Sequence, residues 1–140
     1  MAKYLLDTCV CISMFRNEGN VRETIRKIGT KNCYISEITV AELYFGLAKS
    51  SEKQRKMEDI REVQRLFRVI PVYSSFKEYG EIRQTLEHTG LRVDQFDLGL
   101  RVDQFDLLIG ATAIHHKMTL VTSNLKHFER IQGLEIENWK

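Results

Sequence analysis

The chain reads as an α/β protein built on a mainly parallel sheet, and two observations carry that reading. Short apolar runs at 3–6, 33–35, 69–72, 118–121 and 134–136 alternate with longer stretches whose apolar residues recur every three or four positions. Strands that alternate with helices imply a parallel sheet covered on both sides. The first run also ends on Asp7-Thr8, a carboxylate and a hydroxyl delivered where a strand stops. In open α/β sheets, ligands collect beyond the carboxyl ends of the strands. The plainer reading of Asp7 is an N-cap for the helix that follows, since Asp is favoured there.

Each element has its own local reason. Residues 8–17 offer Val10, Ile12, Met14 and Phe15 for helix packing, and Asn17-Glu18-Gly19-Asn20 is a turn. Asn20 can cap a short helix to Ile28 that Gly29 closes. Ser36 can cap the next helix, which carries Glu42 and runs out near Ala48. A long helix is expected over about 51–67, where Met57, Ile60, Val63 and Leu66 lie three or four apart. Pro71 ends the strand at 69–72, Ser74 or Ser75 caps a helix to about 86–88, and Thr89-Gly90 stops it. Residues 108–114 form a buried helix, His127-Phe128 falls in a turn, and Trp139 follows the last strand.

The 140 residues suit one compact domain, 1–140, with 43% hydrophobic and 29% charged residues. The longest apolar run, 107–114, has eight residues, far short of the roughly 18 that cross a membrane. Asp7 interrupts the only apolar run near the N-terminus, so no signal peptide is expected. Cys9, Cys11 and Cys33 are odd in number and point to a reducing cytoplasm rather than a disulfide framework. Cys9-x-Cys11 lacks the second ligand pair of a structural zinc site. The net charge of +2 does not announce a nucleic-acid binder. The basic residues between Lys49 and Arg68 are interleaved with acids, the pattern of a solvated helix face, with phosphate contact as the lesser reading.

One feature is unusual. Residues 91–98, Leu-Arg-Val-Asp-Gln-Phe-Asp-Leu, recur letter for letter at 100–107, with Gly99 at the seam. The unit is too short and too solitary for a solenoid, so residues 91–99 read as a tandem insertion duplicating 100–108. The second copy flows into the helix at 108–114 and is assigned to the fold. Asp97 is the register alternative to Asp106.

Asp7 and Asn124 follow apolar strands, Asp106 opens a helix, and Glu42 lies within one. Oxygen ligands drawn from several elements suit a hard cation such as Mg²⁺ or Mn²⁺. Each also has a structural explanation. Asp103 can cap the last long helix with Asp106 in its first turn, Glu42 can be an exposed charge, and Asn124 a turn residue. The four histidines read as surface residues, His115-His116 near a helix end.

Four stretches resemble the four motifs of PIN-domain ribonucleases, and more narrowly the VapC-type toxins of prokaryotic toxin–antitoxin pairs. They are Leu5-Leu6-Asp7-Thr8; Ile38-Thr39-Val40-Ala41-Glu42-Leu43 with Gly46-Leu47; Phe105-Asp106-Leu107-Leu108-Ile109-Gly110-Ala111-Thr112-Ala113; and Leu120-Val121-Thr122-Ser123-Asn124 with Phe128. Each is weak alone, and together, in order, they span nearly the whole chain. The resemblance implies a three-layer α/β/α PIN-like domain and catalytic, metal-binding acids at Asp7, Glu42 and Asp106. It adds supporting roles for Asn124, Asp103, Thr8 and Thr122. Asn124 is neutral where many such domains carry an acid. The activity implied is Mg²⁺- or Mn²⁺-dependent RNA cleavage, held in check by a VapB-like antitoxin, in a homodimer.

Two rivals stand beside it. A catalytically impaired PIN module would bind antitoxin or RNA without turnover, the insertion having displaced the third motif. A phosphate-handling domain of the receiver or aspartate-phosphatase kind would want a second acid beside Asp7, where Thr8, Cys9 and Val10 stand instead.

Overall fold

The computed structural model describes residues 2–90 and 103–140. Strand β1 (Tyr4–Leu6) leads into α1 (Thr8–Phe15) and α2 (Val21–Ile28), then β2 (Cys33–Ser36), α3 (Glu37–Ala48) and α4 (Lys53–Leu66). Strand β3 (Arg68–Ile70) is followed by α5 (Phe76–His88). After the undescribed residues come α6 (Gln104–His115), β4 (Thr119–Val121), α7 (Leu125–Phe128) and β5 (Ile136–Glu137). The sheet order is β3-β2-β1-β4-β5, and every neighbouring pair is parallel.

Strand alternation builds the layers. Successive side chains on a strand point to opposite faces. Leu6, Cys33, Ile35 and Val121 therefore join Val10, Met14, Val21, Leu43, Ile60 and Val63 under α1–α4. Leu5 and Leu120 join Leu86, Leu107, Ile109, Ala113 and Phe128 under α5–α7. The expected three-layer α/β/α arrangement with a mainly parallel sheet is what forms. Fully burying a leucine such as Leu5 is worth roughly 1.5–3 kcal/mol, so these strands are held from both sides. Gly110 lets the far side of α6 approach closely, since an added Cβ would lie 2.9 Å from Ile131 Cδ1.

Several boundaries move. The turn expected at His127-Phe128 is the end of the short helix α7, and the last strand falls one to two residues later than 134–136. The serine expected to cap α5 does not do so through its hydroxyl. A 3₁₀ turn over Tyr73–Ser75 precedes the helix, and the hydroxyls of Ser74 and Ser75 are buried without a partner among the described residues. Asn20 stands at the N-cap of α2 but makes no side-chain capping bond. Ser36 and Asp103 do cap, accepting from the amides of Ile38 at 3.0 Å and Asp106 at 2.8 Å. The first copy of the duplication, and Asp97 with it, lies outside the described residues. Among the described residues no helix is long and apolar enough to cross a membrane.

The order of the strands sets the functional geography. Chain progression reverses between β1 and β4, so the crevice at their carboxyl ends is the topological switch point. Asp7 closes β1 there, and Thr122 closes β4 beside it: the Asp7 amide donates to the Val121 carbonyl at 2.9 Å.

Candidate active site

Asp7 serves both readings at once. One carboxylate oxygen, Oδ1, accepts from the Thr8 amide at 2.8 Å and caps α1. The other, Oδ2, accepts from Thr122 Oγ1 at 2.8 Å and from the Cys9 thiol at 3.5 Å. The residue is only 4% exposed, a degree of burial at which a carboxylate needs such partners. Burial pushes its pKa up, while the bonds from Thr122, Thr8 and Cys9 pull it down.

Glu42 projects from α3 and is held by Thr8, whose hydroxyl donates to Oε1 at 2.6 Å and stands 3.2 Å from Thr39 Oγ1. Thr8, the residue after the first acid, therefore orients the second. Burial raises the Glu42 pKa, opposed by the Thr8 bond and reinforced by the charges of Asp7 and Asp103. Asp106 sits in the first turn of α6 and is pushed up to about 8, first by burial and then by the charges of Asp103, Asp7 and Glu42. Four acids from three separate stretches thus act on one another electrostatically.

Asp103, expected in support, does two things: it caps α6 and adds its charge to Asp106 and Glu42. Thr122 is fully buried and also accepts the Asn124 amide at 3.0 Å. The Asn124 side chain is exposed and makes no hydrogen bond among the described residues. Its backbone, not its amide group, joins the network.

Two further residues touch the acids, and a third touches Thr8. His127 Nδ1 lies 3.0 Å from Asp106 Oδ2, so a histidine read as a surface residue touches one of the candidate ligands. The signal was its position three residues after Asn124, one helical turn on from the fourth motif. Cys9 is packed between Asp7 and the β4–α7 connection, taking a hydrogen bond from Ser123 Oγ at 3.3 Å. Thr39 precedes Glu42 by three residues on α3 and so shares its face.

Among the described residues no three His, Cys, Asp or Glu side chains gather tightly enough to form a closed metal-binding set. The donors nevertheless fit a hard divalent cation. They are carboxylates, they repel one another, and none of Asp7, Glu42 and Asp106 has a Lys or Arg ion pair among the described residues. A Mg²⁺-like ion keeps several waters and needs only one or two carboxylates besides substrate phosphate, so an open set suffices.

Comparison with known proteins follows the same lines. Residues 4–134 match the family model described as PIN domain. Ribonuclease VapC2 of Rickettsia felis is 32% identical over 139 residues, with 97% of each chain covered. The tRNA(fMet)-specific endonuclease VapC of Shigella flexneri is 33% identical with 99% of each covered. Among solved structures, DNA-bound VapBC from Salmonella typhimurium superposes with a TM-score of 0.84 at 30% identity, covering 100% of both chains. VapBC2 from Rickettsia felis, bound to a DNA fragment from its promoter, gives 0.82 at 31% identity over 98% of each.

Proposed function

Because the chain belongs to the PIN-domain family and, within it, to the VapC ribonucleases, we propose that it is the endoribonuclease toxin of a type II toxin–antitoxin pair. In this reading Asp7, Glu42 and Asp106 hold Mg²⁺ or Mn²⁺, with Asp103, Thr8, Thr122 and Asn124 in support. The observation that carries it is the Thr8 bridge, whose amide bonds Asp7 and whose hydroxyl bonds Glu42, and the push of burial and of the neighbouring acids on Asp106 agrees with it. Crowded carboxylates without a Lys or Arg counter-ion hold a charge deficit that a divalent cation removes.

When bound, such a cation steadies the charge growing on the scissile phosphate and acidifies a water for in-line attack. The chain's own residues supply the rest. Thr122 fixes Asp7, Thr8 fixes Glu42, and His127 stands against Asp106, so the three carboxylates enter the reaction already oriented. Burial and the charges of Asp103, Asp7 and Glu42 push the Asp106 pKa up to about 8, and a cation held there would favour its charged form.

The reading takes residues 1–140 as one domain, with 91–99 as an insertion. It adds a VapB-like antitoxin, supported by the VapBC complexes among the structural relatives. A second copy of the chain and a cytoplasmic setting complete it, the latter supported by the free thiols of Cys9, Cys11 and Cys33.

The test is RNA cleavage by the purified protein with Mg²⁺ or Mn²⁺, beside Asp106→Asn and Asp97→Asn. Loss in Asp106→Asn alone supports both the activity and the register. Loss in Asp97→Asn alone moves the third acid to the first copy. A parent protein that binds antitoxin and cuts no RNA with either ion is the impaired module instead. Cleavage that a saturating antitoxin leaves unchanged removes the toxin reading.

A further inference from the structure

Away from the acids, α5, the end of α6 and the chain just after α7 border a pocket of about 210 Å³. None of Asp7, Glu42, Asp103 and Asp106 lines it. Its α6 residue, Ile114, stands eight positions beyond Asp106, about 12 Å along the helix. Four aliphatic side chains form the walls: Ile82 and Leu86 from α5, Ile114 from α6, and Ile131 from beyond α7. Leu86 and Ile131 are buried, and Ile82 and Ile114 are half-buried.

Two charged groups in the lining have unmet demands. His115 Nδ1 stands 3.1 Å from Glu78 Oε2, but Glu78 Oε1 is buried without a hydrogen-bond partner among the described residues. A buried acceptor without a donor costs free energy until a ligand supplies one. Arg130 lines the same pocket, is exposed, and has no ion pair among the described residues. Glu81 is also in the lining, but Lys77 Nζ already lies 3.9 Å from it. An unsatisfied acid, a free guanidinium and aliphatic walls together specify a ligand. An ammonium group satisfies Glu78 Oε1, a carboxylate matches the fork of Arg130, and an aliphatic body covers the walls. Small-molecule sites have this make-up, mostly apolar with a few placed polar groups. The volume falls below the roughly 300 Å³ at which drug-sized sites begin, so the ligand is small.

We propose that this pocket binds a free α-amino acid with a branched aliphatic side chain: the ammonium donates to Glu78 Oε1, the carboxylate meets Arg130, and the side chain packs among Ile82, Leu86, Ile114 and Ile131. Within a peptide no residue carries both charges on one α-carbon, and a simple amine has no carboxylate, so neither answers both groups. The proposal is independent of the endoribonuclease reading, because none of its residues belongs to the acidic site.

The test is titration calorimetry of L-leucine into the full-length protein, in chelator so that the amino acid cannot act as a metal ligand. Three analogues are titrated beside it: isoamylamine, which lacks the carboxylate, isocaproate, which lacks the ammonium, and glycine, which lacks the side chain. Leucine is expected to bind, and each analogue to bind about 10- to 100-fold more weakly, from the usual worth of a charge-assisted hydrogen bond or a buried aliphatic side chain. Glu78→Met and Arg130→Met should each weaken leucine binding over the same range, with melting temperatures close to the parent's. Absence of leucine binding at millimolar concentration overturns the proposal. Isoamylamine binding as tightly as leucine overturns it too, leaving an amine site in which Arg130 has no part. Leucine affinity unchanged in both methionine variants places the ligand elsewhere on the protein and likewise overturns it.

Discussion

Thr122 and Asp7 stand 115 positions apart in sequence, yet the Thr122 hydroxyl donates to Asp7 Oδ2 at 2.8 Å. The bond spans the switch point, tying the end of β4 to the end of β1. It also leaves Asp7 with fixed orientation in a site where it is almost wholly buried. Replacing Thr122 by Val keeps the shape and removes the donor. Loss of a partner that orients a metal-binding carboxylate typically costs about 10- to 100-fold in metal affinity or activity. Thr122→Val should fall in that range in Mn²⁺ titration calorimetry and RNA cleavage, and Thr122→Ser should recover most of it. Parent-like affinity in the valine variant would mean that Asp7 needs no such support.

His127 has a comparable place on the other side. Its Nδ1 stands 3.0 Å from Asp106 Oδ2 while the ring remains partly exposed, so removing it leaves the core untouched. His127→Ala should lower Mn²⁺ affinity by about 10-fold with a melting temperature close to the parent's. Unchanged affinity in calorimetry would return His127 to the surface class.

The metal-free protein should lose stability as pH rises. Asp106 has its folded pKa raised from 3.8 to about 8, so the folded state binds more protons than the unfolded state between those values. Stability is then fully present below about pH 4 for this group and is lost as pH climbs through about 8. Asp7 and Glu42, also raised, add to the same slope. Thermal melts in chelator across this range should show a falling melting temperature. The fall should be shallower in Asp106→Asn and in the parent with Mn²⁺. A slope identical in parent and Asp106→Asn would refute the assignment of Asp106 as the dominant group.

The three thiols should react unequally. Burial pushes Cys11 far up and Cys33 up to about 11, and both are buried, whereas Cys9 is half-exposed. Iodoacetamide on the folded protein should label Cys9 ahead of the other two by mass spectrometry. Because the Cys9 sulfur is 3.5 Å from Asp7 Oδ2, the adduct should also suppress Mn²⁺ binding. Equal labelling of all three, or a labelled protein with full Mn²⁺ affinity, would contradict this placement.

Much of this architecture was legible locally. The continuous apolar runs at Leu5-Leu6 and Leu120-Val121 mark strands buried on both faces, and the structure sends one of each pair into each core. Ser36 and Asp103 announced their helices because a cap is made by residues two or three positions away. Ser75 does stand at the N-cap of α5, but it is the last residue of a 3₁₀ turn, and the hydroxyls of Ser74 and Ser75 are buried without a partner among the described residues. His127 was passed over because its partner, Asp106, belongs to another helix, and its place three residues after Asn124 does not by itself point to that helix.

By itself the sequence determined which residues could be strands, helices and caps, and which residue types could form an oxygen-rich site, since these depend on neighbours within a turn or two. Only the tertiary structure decided that Thr8 holds Glu42, that Thr122 holds Asp7, that His127 touches Asp106, and that the Asn124 amide bonds Thr122. The cause is the parallel crossover topology. It brings the ends of β1 and β4 together from opposite ends of the chain, and burial there turns separate acids into one electrostatic unit.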